Sequence, residues 1–372
     1  MLSKDLIYQL ALTMVPQIGP VQAKILLQHC EPEEIFHAKR SFLEKIEGIG
    51  PVRAAAISQF EDFTLIEEEI RFIEKHDVQP LFITEPGYPR RLLNCTDAPV
   101  LLFYKGSAGL NAERMLAVIG SRSHTDYARQ VTEKLVAELA PAGVCIVSGL
   151  AYGVDALAHK AALKHRLPTV GVLGHGLNQV YPAEHSVLAR DMLQQGGGLL
   201  TEFQSHSIPD KHNFPIRNRI VAGMCDAVLV IETGIKGGSM ITAELAGNYN
   251  RDVFALPGKI TDPKSAGCNF LIRHNKAIML TDGKQLLETM GWPTGEEAAA
   301  RKKKADRQKK LFIELSPNEK IITGLLQEKE TVHIDEINAR SGLTSSAIAA
   351  AILNLELQNV LVSLPGKQYQ LA

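Results

Sequence analysis

Leu116-Ala117-Val118-Ile119-Gly120-Ser121-Arg122-Ser123 is an unbroken apolar run that ends in a glycine–serine–arginine turn. A short apolar run without alternation reads as a strand buried on both faces, and such strands belong to parallel sheets covered by helices. The pattern recurs downstream at residues 144–147, 169–173, 199–201, 228–231, 253–256 and 278–280, and upstream at 80–83 and 100–104 as accessory strands. Helical patterns separate most of these runs. The spacing predicts an α/β fold, an extended Rossmann-like, doubly wound parallel sheet over residues 67–293. Ligands are expected at the carboxyl ends of its strands.

Those ends hold most of the glycine and small polar residues. The first strand runs into Gly120-Ser121-Arg122, the second into Ser148-Gly149-Leu150-Ala151-Tyr152-Gly153-Val154-Asp155, the third into Gly174-His175-Gly176-Leu177-Asn178. After Ile231-Glu232 comes Gly237-Gly238-Ser239-Met240-Ile241-Thr242-Ala243-Glu244 at a helix start. Glycine lets backbone N–H groups approach a phosphate closely, and serine adds a neutral donor. Glycine also serves turn geometry alone, but several such loops on one edge, with Arg122 beside them, predict a phosphate-binding rim.

A second stretch supplies the cations. Lys211-His212-Asn213-Phe214-Pro215-Ile216-Arg217-Asn218-Arg219 precedes the strand-like run at 227–231. Proline suits the first turn of a helix, where its missing N–H has no intrahelical partner. With Pro215 opening a helix, Ile216, Ile220 and Met224 are expected on its buried stripe. Lys211, Phe214 and Arg217 then surround an N-terminus whose free N–H groups and dipole favour an anion. Cations beside a stackable ring suit a phosphate chain that carries bases; the plainer alternative is a core helix with solvated arginines. Asp155 and His159, one turn apart, read as a capping or structural pair, since no nucleophile accompanies them.

Absent motifs narrow the chemistry. No Gly-x-Gly-x-x-Gly follows the first strand and no Gly-x-x-x-x-Gly-Lys-[Ser/Thr] occurs, which argues against a dinucleotide cofactor and a P-loop ATPase. The cysteines at 30, 95, 145, 225 and 268 form no Cys-x-x-Cys pair, so neither a disulfide framework nor a zinc site is expected. With a formal net charge of −1 over 372 residues, nucleic-acid binding must rest on a local patch. No apolar run approaches the roughly 20 residues of a membrane span, and Lys4-Asp5 interrupts the start before a signal core forms. These features predict a soluble protein of a reducing compartment.

The flanks differ from the centre. Ile18-Gly19-Pro20-Val21-Gln22-Ala23-Lys24 recurs as Ile49-Gly50-Pro51-Val52-Arg53-Ala54-Ala55, so residues 1–66 read as paired helical hairpins of the SAM-like, helix-hairpin-helix kind. Such modules hold DNA backbones through turn N–H groups, but cations are few here, chiefly Lys24 and Arg53, and a helical packing domain is the competing reading. Residues 294–312 read as a basic linker around the charge run at 301–310. Residues 313–372 predict a winged helix, with helices over 319–326, from 333, and over 345–357, then a hairpin wing at 360–370. Its third helix opens Ser345-Ser346-Ala347-Ile348-Ala349-Ala350-Ala351, small and neutral where a base reader carries Arg, Lys, Asn or Gln. Protein contact or weak DNA binding is the reading that follows.

With these residues assembled, the chain resembles the DNA-processing protein A family (DprA, also called Smf). The resemblance spans all three domains. It rests on Ile119-Gly120-Ser121-Arg122, Ser148-Gly149-Leu150-Ala151 with Gly153-Val154-Asp155 and Ala158-His159, Gly176-Leu177 with Tyr181-Pro182, Phe214-Pro215-Ile216-Arg217-Asn218-Arg219, Gly238-Ser239-Met240-Ile241-Thr242-Ala243, and Val253-Phe254-Ala255-Leu256-Pro257-Gly258. It implies a cytosolic homodimer, not an enzyme and without cofactor or metal. Such a protein binds single-stranded DNA in a pocket at the sheet edge, protects incoming DNA and loads the recombinase RecA during natural transformation. Carried over by motif, the DNA site comprises Arg122, Lys211, Phe214, Arg217 and Asn218, with Gly149, Gly238 and Ser239 near the strand. The chain departs from the pattern at His175, where cysteine or a small residue is common, at Asn178 for aspartate and at His185 for asparagine. A second resemblance competes. Gly237 to Glu244 is similar to the signature of Rossmann-type nucleotide phosphoribohydrolases, which implies Glu244 as a catalytic carboxylate, although Met240 replaces a signature glycine.

Overall fold

The structure is a computed structural model and describes residues 5–293, 315–327, 331–357, 360–364 and 367–371. The predicted linker at 294–312, with its charge run, and the wing tip Pro365-Gly366 lie outside the described residues. The chain divides into two compact units, 1–295 and 296–372.

The first unit begins with helices α1 (Asp5–Met14), α2 (Pro20–Leu27), α3 (Pro32–His37), α4 (Arg40–Leu43), α5 (Gly50–Ser58) and α6 (Phe63–His76). The repeated Gly-Pro pairs start α2 and α5, as their sequence predicts. Both turn cations are engaged within the protein. Lys24 donates to the carbonyls of Cys95, at 3.0 Å, and Thr96; Arg53 donates to those of Gln17 and Gly48, at 3.2 and 3.1 Å. That favours the packing-domain reading of these helices. Their buried Leu10, Leu26, Ile57 and Ile66 share one core with Phe82, Leu101 and Phe103 of the sheet.

The sheet strands are β1 (Gln79–Phe82), β2 (Leu101–Gly106), β3 (Met115–Ile119), β4 (Cys145–Ser148), β5 (Thr169–Val172), β6 (Gly198–Thr201), β7 (Ala227–Val230), β8 (Asp252–Ala255) and β9 (Ile278–Met279). Among the described residues their order is β1-β2-β6-β5-β4-β3-β7-β8-β9, antiparallel at β1–β2 and β2–β6 and parallel elsewhere. Helices α7 (Asp126–Leu139), α8 (Val154–Lys164), α9 (Ser186–Gln194), α10 (Asn213–Gly223), α11 (Gly238–Asn248), α12 (Ala266–Arg273) and α13 (Gly283–Thr289) cover both faces. Alternate side chains of β3 explain the layering. Leu116 and Val118 pack with α7, α8 and α13, whereas Met115 and Ala117 pack with α10, α11 and α12. The chain leaves β3 for β4 on one side and returns to β7 on the other only after β6. That reversal opens a crevice beyond the carboxyl end of β3, where open α/β sheets bind ligands.

One helix departs from its predicted face. Pro215 lies in the first turn of α10, and Ile220 and Met224 are buried, but Ile216 is 43% exposed. Arg217 and Arg219 are buried instead. Both find oxygen partners on the sheet side, which a periodicity of apolar residues does not register.

The second unit comprises α14 (Pro317–Gln327), β10 (Val332–His333), α15 (Ile334–Ser341), α16 (Ser345–Leu357), β11 (Leu361–Leu364) and β12 (Gln368–Leu371), with its strands in the order β10-β12-β11. Ile322, Leu326, Ile337, Ile348, Ile352 and Leu355 form its core. This is the predicted winged helix.

Candidate nucleic-acid interface

The crevice is a cleft of about 700 Å³. Five connections build it, those after β3, β4, β5, β6 and β7, together with the N-terminal turns of α10 and α11. The Ser121 N–H donates to the Glu232 carbonyl at 2.7 Å, which joins the first loop to the end of β7. Arg122, Gly149, Lys211, Phe214, Arg217, Asn218, Gly238 and Ser239 all line the cleft. The structure brings together residues that are far apart in sequence, but it gives them unequal roles.

Arg122 and Lys211 are exposed. The Arg122 guanidinium carbon lies 5.3 Å from the centre of the Phe214 ring, within cation–π range. Lys211 has no hydrogen-bond or ion-pair partner among the described residues. Gly238 is exposed at the first turn of α11, and a Cβ there would meet nothing within 4 Å, so the backbone is open to an approaching anion. Ser239 is buried and donates to the Thr233 hydroxyl at 2.7 Å.

Arg217 lines the cleft from within the protein. The resemblance implies a strand-facing cation, yet the side chain is buried, and its Nη1 donates to the carbonyls of Gly149, at 2.6 Å, and Val172. Nε donates to Asn218 Oδ1 at 3.1 Å, leaving the Asn218 amide nitrogen without a protein partner among the described residues. Burial lowers the Arg217 pKa to about 10, and the Asp155 charge opposes that shift. Gly149 lines the cleft, but its N–H donates to Asp155 Oδ2 at 3.1 Å; Ala151 N–H points to the same oxygen at 3.4 Å. Leu150 between them has φ +55°, the left-handed turn that lets the N–H groups on either side of it share one acceptor. Burial raises the Asp155 pKa and Arg217 counters it. The anion nest after β4 is thus filled by a protein carboxylate. Arg217 and Gly149 form the floor of the cleft rather than its free donors.

His159 is structural, as its spacing from Asp155 suggests. Thr169 Oγ1 donates to the Ile146 carbonyl at 2.9 Å and lies 2.7 Å from His159 Nδ1, so Nδ1 carries the proton and donates to it. Glu244 is exposed on α11 and does not line the cleft, which removes the carboxylate required by the phosphoribohydrolase resemblance. Among the described residues no group of His, Cys, Asp or Glu is arranged to hold a metal, and no helix is long and apolar enough to cross a membrane.

Tyr181, within the Tyr181-Pro182 motif, also lines the cleft, a position its sequence did not mark as part of the site. The Tyr181 ring stacks on Phe214 with centroids 5.9 Å apart and planes at 25°. An aromatic residue closing a glycine-rich loop after β5 was the available signal.

A tandem helix-hairpin-helix module, a doubly wound sheet with a cation-and-aromatic cleft at its strand reversal, and a winged helix place the chain among the recombination mediators. Residues 79–291 match the sequence model of DNA recombination-mediator protein A, residues 309–367 that of the DprA winged helix domain, and residues 10–59 that of the SAM-like helix-hairpin-helix tandem. The chain belongs to the DNA recombination-mediator protein A (DprA/Smf) family. It is 35% identical to protein Smf of Escherichia coli over 81% of this chain and 79% of that one, and 33% identical to protein Smf of Synechocystis over the full length of both. The X-ray structure of DNA processing protein A from Streptococcus pneumoniae superposes with a TM-score of 0.64 at 32% identity, covering 77% of this chain and 98% of the other. A Helicobacter pylori DNA processing protein A, described for its single-stranded DNA binding mode, gives 0.52 at 30% identity, covering 57% and 95%.

Proposed function

We propose that the chain binds single-stranded DNA along this cleft as a non-enzymatic mediator, protects incoming strands and loads the recombinase RecA during natural transformation. The observation that carries the reading is the convergence of Arg122, Lys211 and Phe214 on one open cleft beside the exposed N-terminus of α11. Phosphates run past Arg122 and Lys211 toward the Gly238-Ser239 turn, with Asn218 as a neutral donor and a base at the aromatic column that begins with Phe214. Arg217 supports them from below. The single-stranded DNA binding of the Helicobacter pylori relative supports this assignment.

The protein acts as a homodimer in this reading. Among the described residues strand β9 ends the sheet with no further strand on its outer edge, and its Ile278 and Met279 are exposed, an arrangement that favours pairing with another copy.

Anisotropy titrations of single- and double-stranded oligonucleotides across a salt series test the assignment. Tighter binding of the single strand, weakened steeply by salt and lost in an Arg122→Ala/Lys211→Ala double variant, is expected. Unchanged affinity in that variant removes the site. RecA filament growth on DNA coated with single-strand-binding protein, with and without the chain, tests the loading step.

A further inference from the structure

We infer that Tyr181 is a base-stacking residue of this cleft, with Phe214 as its backing and His175 as the residue that positions it. This rests on the reading of the cleft as a single-stranded DNA site and adds to it a residue and a mechanism of placement.

Phe214 is enclosed on several sides. A Cβ at Gly174 would meet its Cδ1 at 2.8 Å, so the ring is seated against the end of β5. Arg122 lies 5.3 Å from its centre, Arg217 6.0 Å, and Tyr181 stacks at 5.9 Å. Little of the Phe214 ring is left for a base. Tyr181 differs. It is 46% exposed while one side rests on Phe214, so its other side is open to solvent. Its hydroxyl has no hydrogen-bond partner among the described residues, and it lines the cleft with Arg122 and Lys211. A base laid on Tyr181 extends a column already begun by two rings, with Arg122 alongside for the adjoining phosphate. Aromatic rings serve single-strand binding in this manner because every base has a π face.

His175 explains why the ring stays in place. The imidazole is buried, with Nδ1 2.8 Å from the Gly176 carbonyl and Nε2 3.3 Å from the Tyr181 backbone nitrogen. A carbonyl only accepts, so Nδ1 carries the proton and Nε2 accepts the Tyr181 N–H. The loop is held from its other side as well. Thr201 Oγ1 lies 2.9 Å from the His175 carbonyl, and Gly176 N–H donates to the Ser207 carbonyl at 2.9 Å. A cysteine or small residue at 175, the pattern from which this chain departs, offers no comparable acceptor at that reach.

The test uses the full chain and an oligothymidylate carrying one internal 2-aminopurine, alongside a fully abasic oligonucleotide of the same length. Tyr181→Leu is expected to weaken binding of the base-bearing strand about tenfold and to abolish quenching of the probe, with abasic affinity and salt slope unchanged. Tyr181→Phe keeps both affinity and quenching. His175→Ala loses base-dependent affinity in the same sense, and His175→Gln, whose amide oxygen accepts an N–H, restores it. Equal losses on the two oligonucleotides for Tyr181→Leu, or undiminished quenching, overturn the stacking role. Failure of Gln to restore what Ala loses overturns the positioning role. A wild-type chain that binds neither oligonucleotide fails on the DNA site itself, an outcome distinct from both.

Discussion

Arg122 and Arg217 stand at one cleft and burial separates their work. An exposed guanidinium beside a phosphate releases a counterion, whereas a buried one held by carbonyls supports the backbone. Arg122→Ala is therefore expected to flatten the dependence of log affinity on log salt by about 0.7, the single-strand value per contact, read from anisotropy titrations. Arg217→Ala is expected to leave that slope alone and to lower stability by about 3–5 kcal/mol in denaturant unfolding, because Asp155 loses its opposing charge and two carbonyls lose a donor. His159 gives a third expectation at this scale. Burial holds its pKa down to about 3, from an ordinary value near 6.5. Its stabilisation is complete above pH 6.5 and falls away as pH drops toward 3, since the unfolded imidazole takes up a proton that the folded one refuses. The melting temperature should decline across that window, and less steeply in His159→Gln, as thermal scans would show. The sequence identified the charged residues here but not their burial. Arg217 meets acceptors 45 and 68 positions away, and no local pattern carries that information.

Strands were legible at the level of elements because burial on both faces leaves a nearly continuous apolar signature. Residues 116–119 and 228–231 were read within a position or so of β3 and β7. Helix α10 was harder. Its buried side mixes Arg217 and Arg219 with Ile220, so apolar spacing alone put Ile216 inside. The turn cations Lys24 and Arg53 left two readings open for a similar reason, since the carbonyl partners of Lys24 lie 71 and 72 residues on. Edge strand β9 is the element that decides oligomeric state in the proposed dimer. A charge on an exposed strand edge discourages pairing, so Ile278→Lys or Met279→Lys is expected to shift the chain to monomer in sedimentation equilibrium without unfolding it.

At the scale of the molecule, the helical amino-terminal segment is part of the first unit's architecture. Phe82, Leu101 and Phe103 belong to the sheet, yet they are covered by a core that the early helices complete. Each such side chain contributes about 1.5–3 kcal/mol when buried. Deleting residues 1–66 is expected to expose these groups, raising binding of a hydrophobic dye and lowering the unfolding midpoint. Domain boundaries drawn from composition placed a break at 66 because the helical and strand patterns change there, and pattern does not reveal a shared core. With a net charge of −1, the whole chain has little long-range pull on a polyanion, so the placement of individual cations matters more than their number.

That placement depends on a residue with no side chain. Gly153, at φ +79°, presses the start of α8 against the backbone of Ser121 and Arg122 so closely that an added methyl would fall 2.6 Å from the Arg122 carbonyl carbon. The two segments behave as one mechanical part. In the proposed mode of binding, a strand held at Arg122 would therefore pull on a turn backed directly by the first residues of α8.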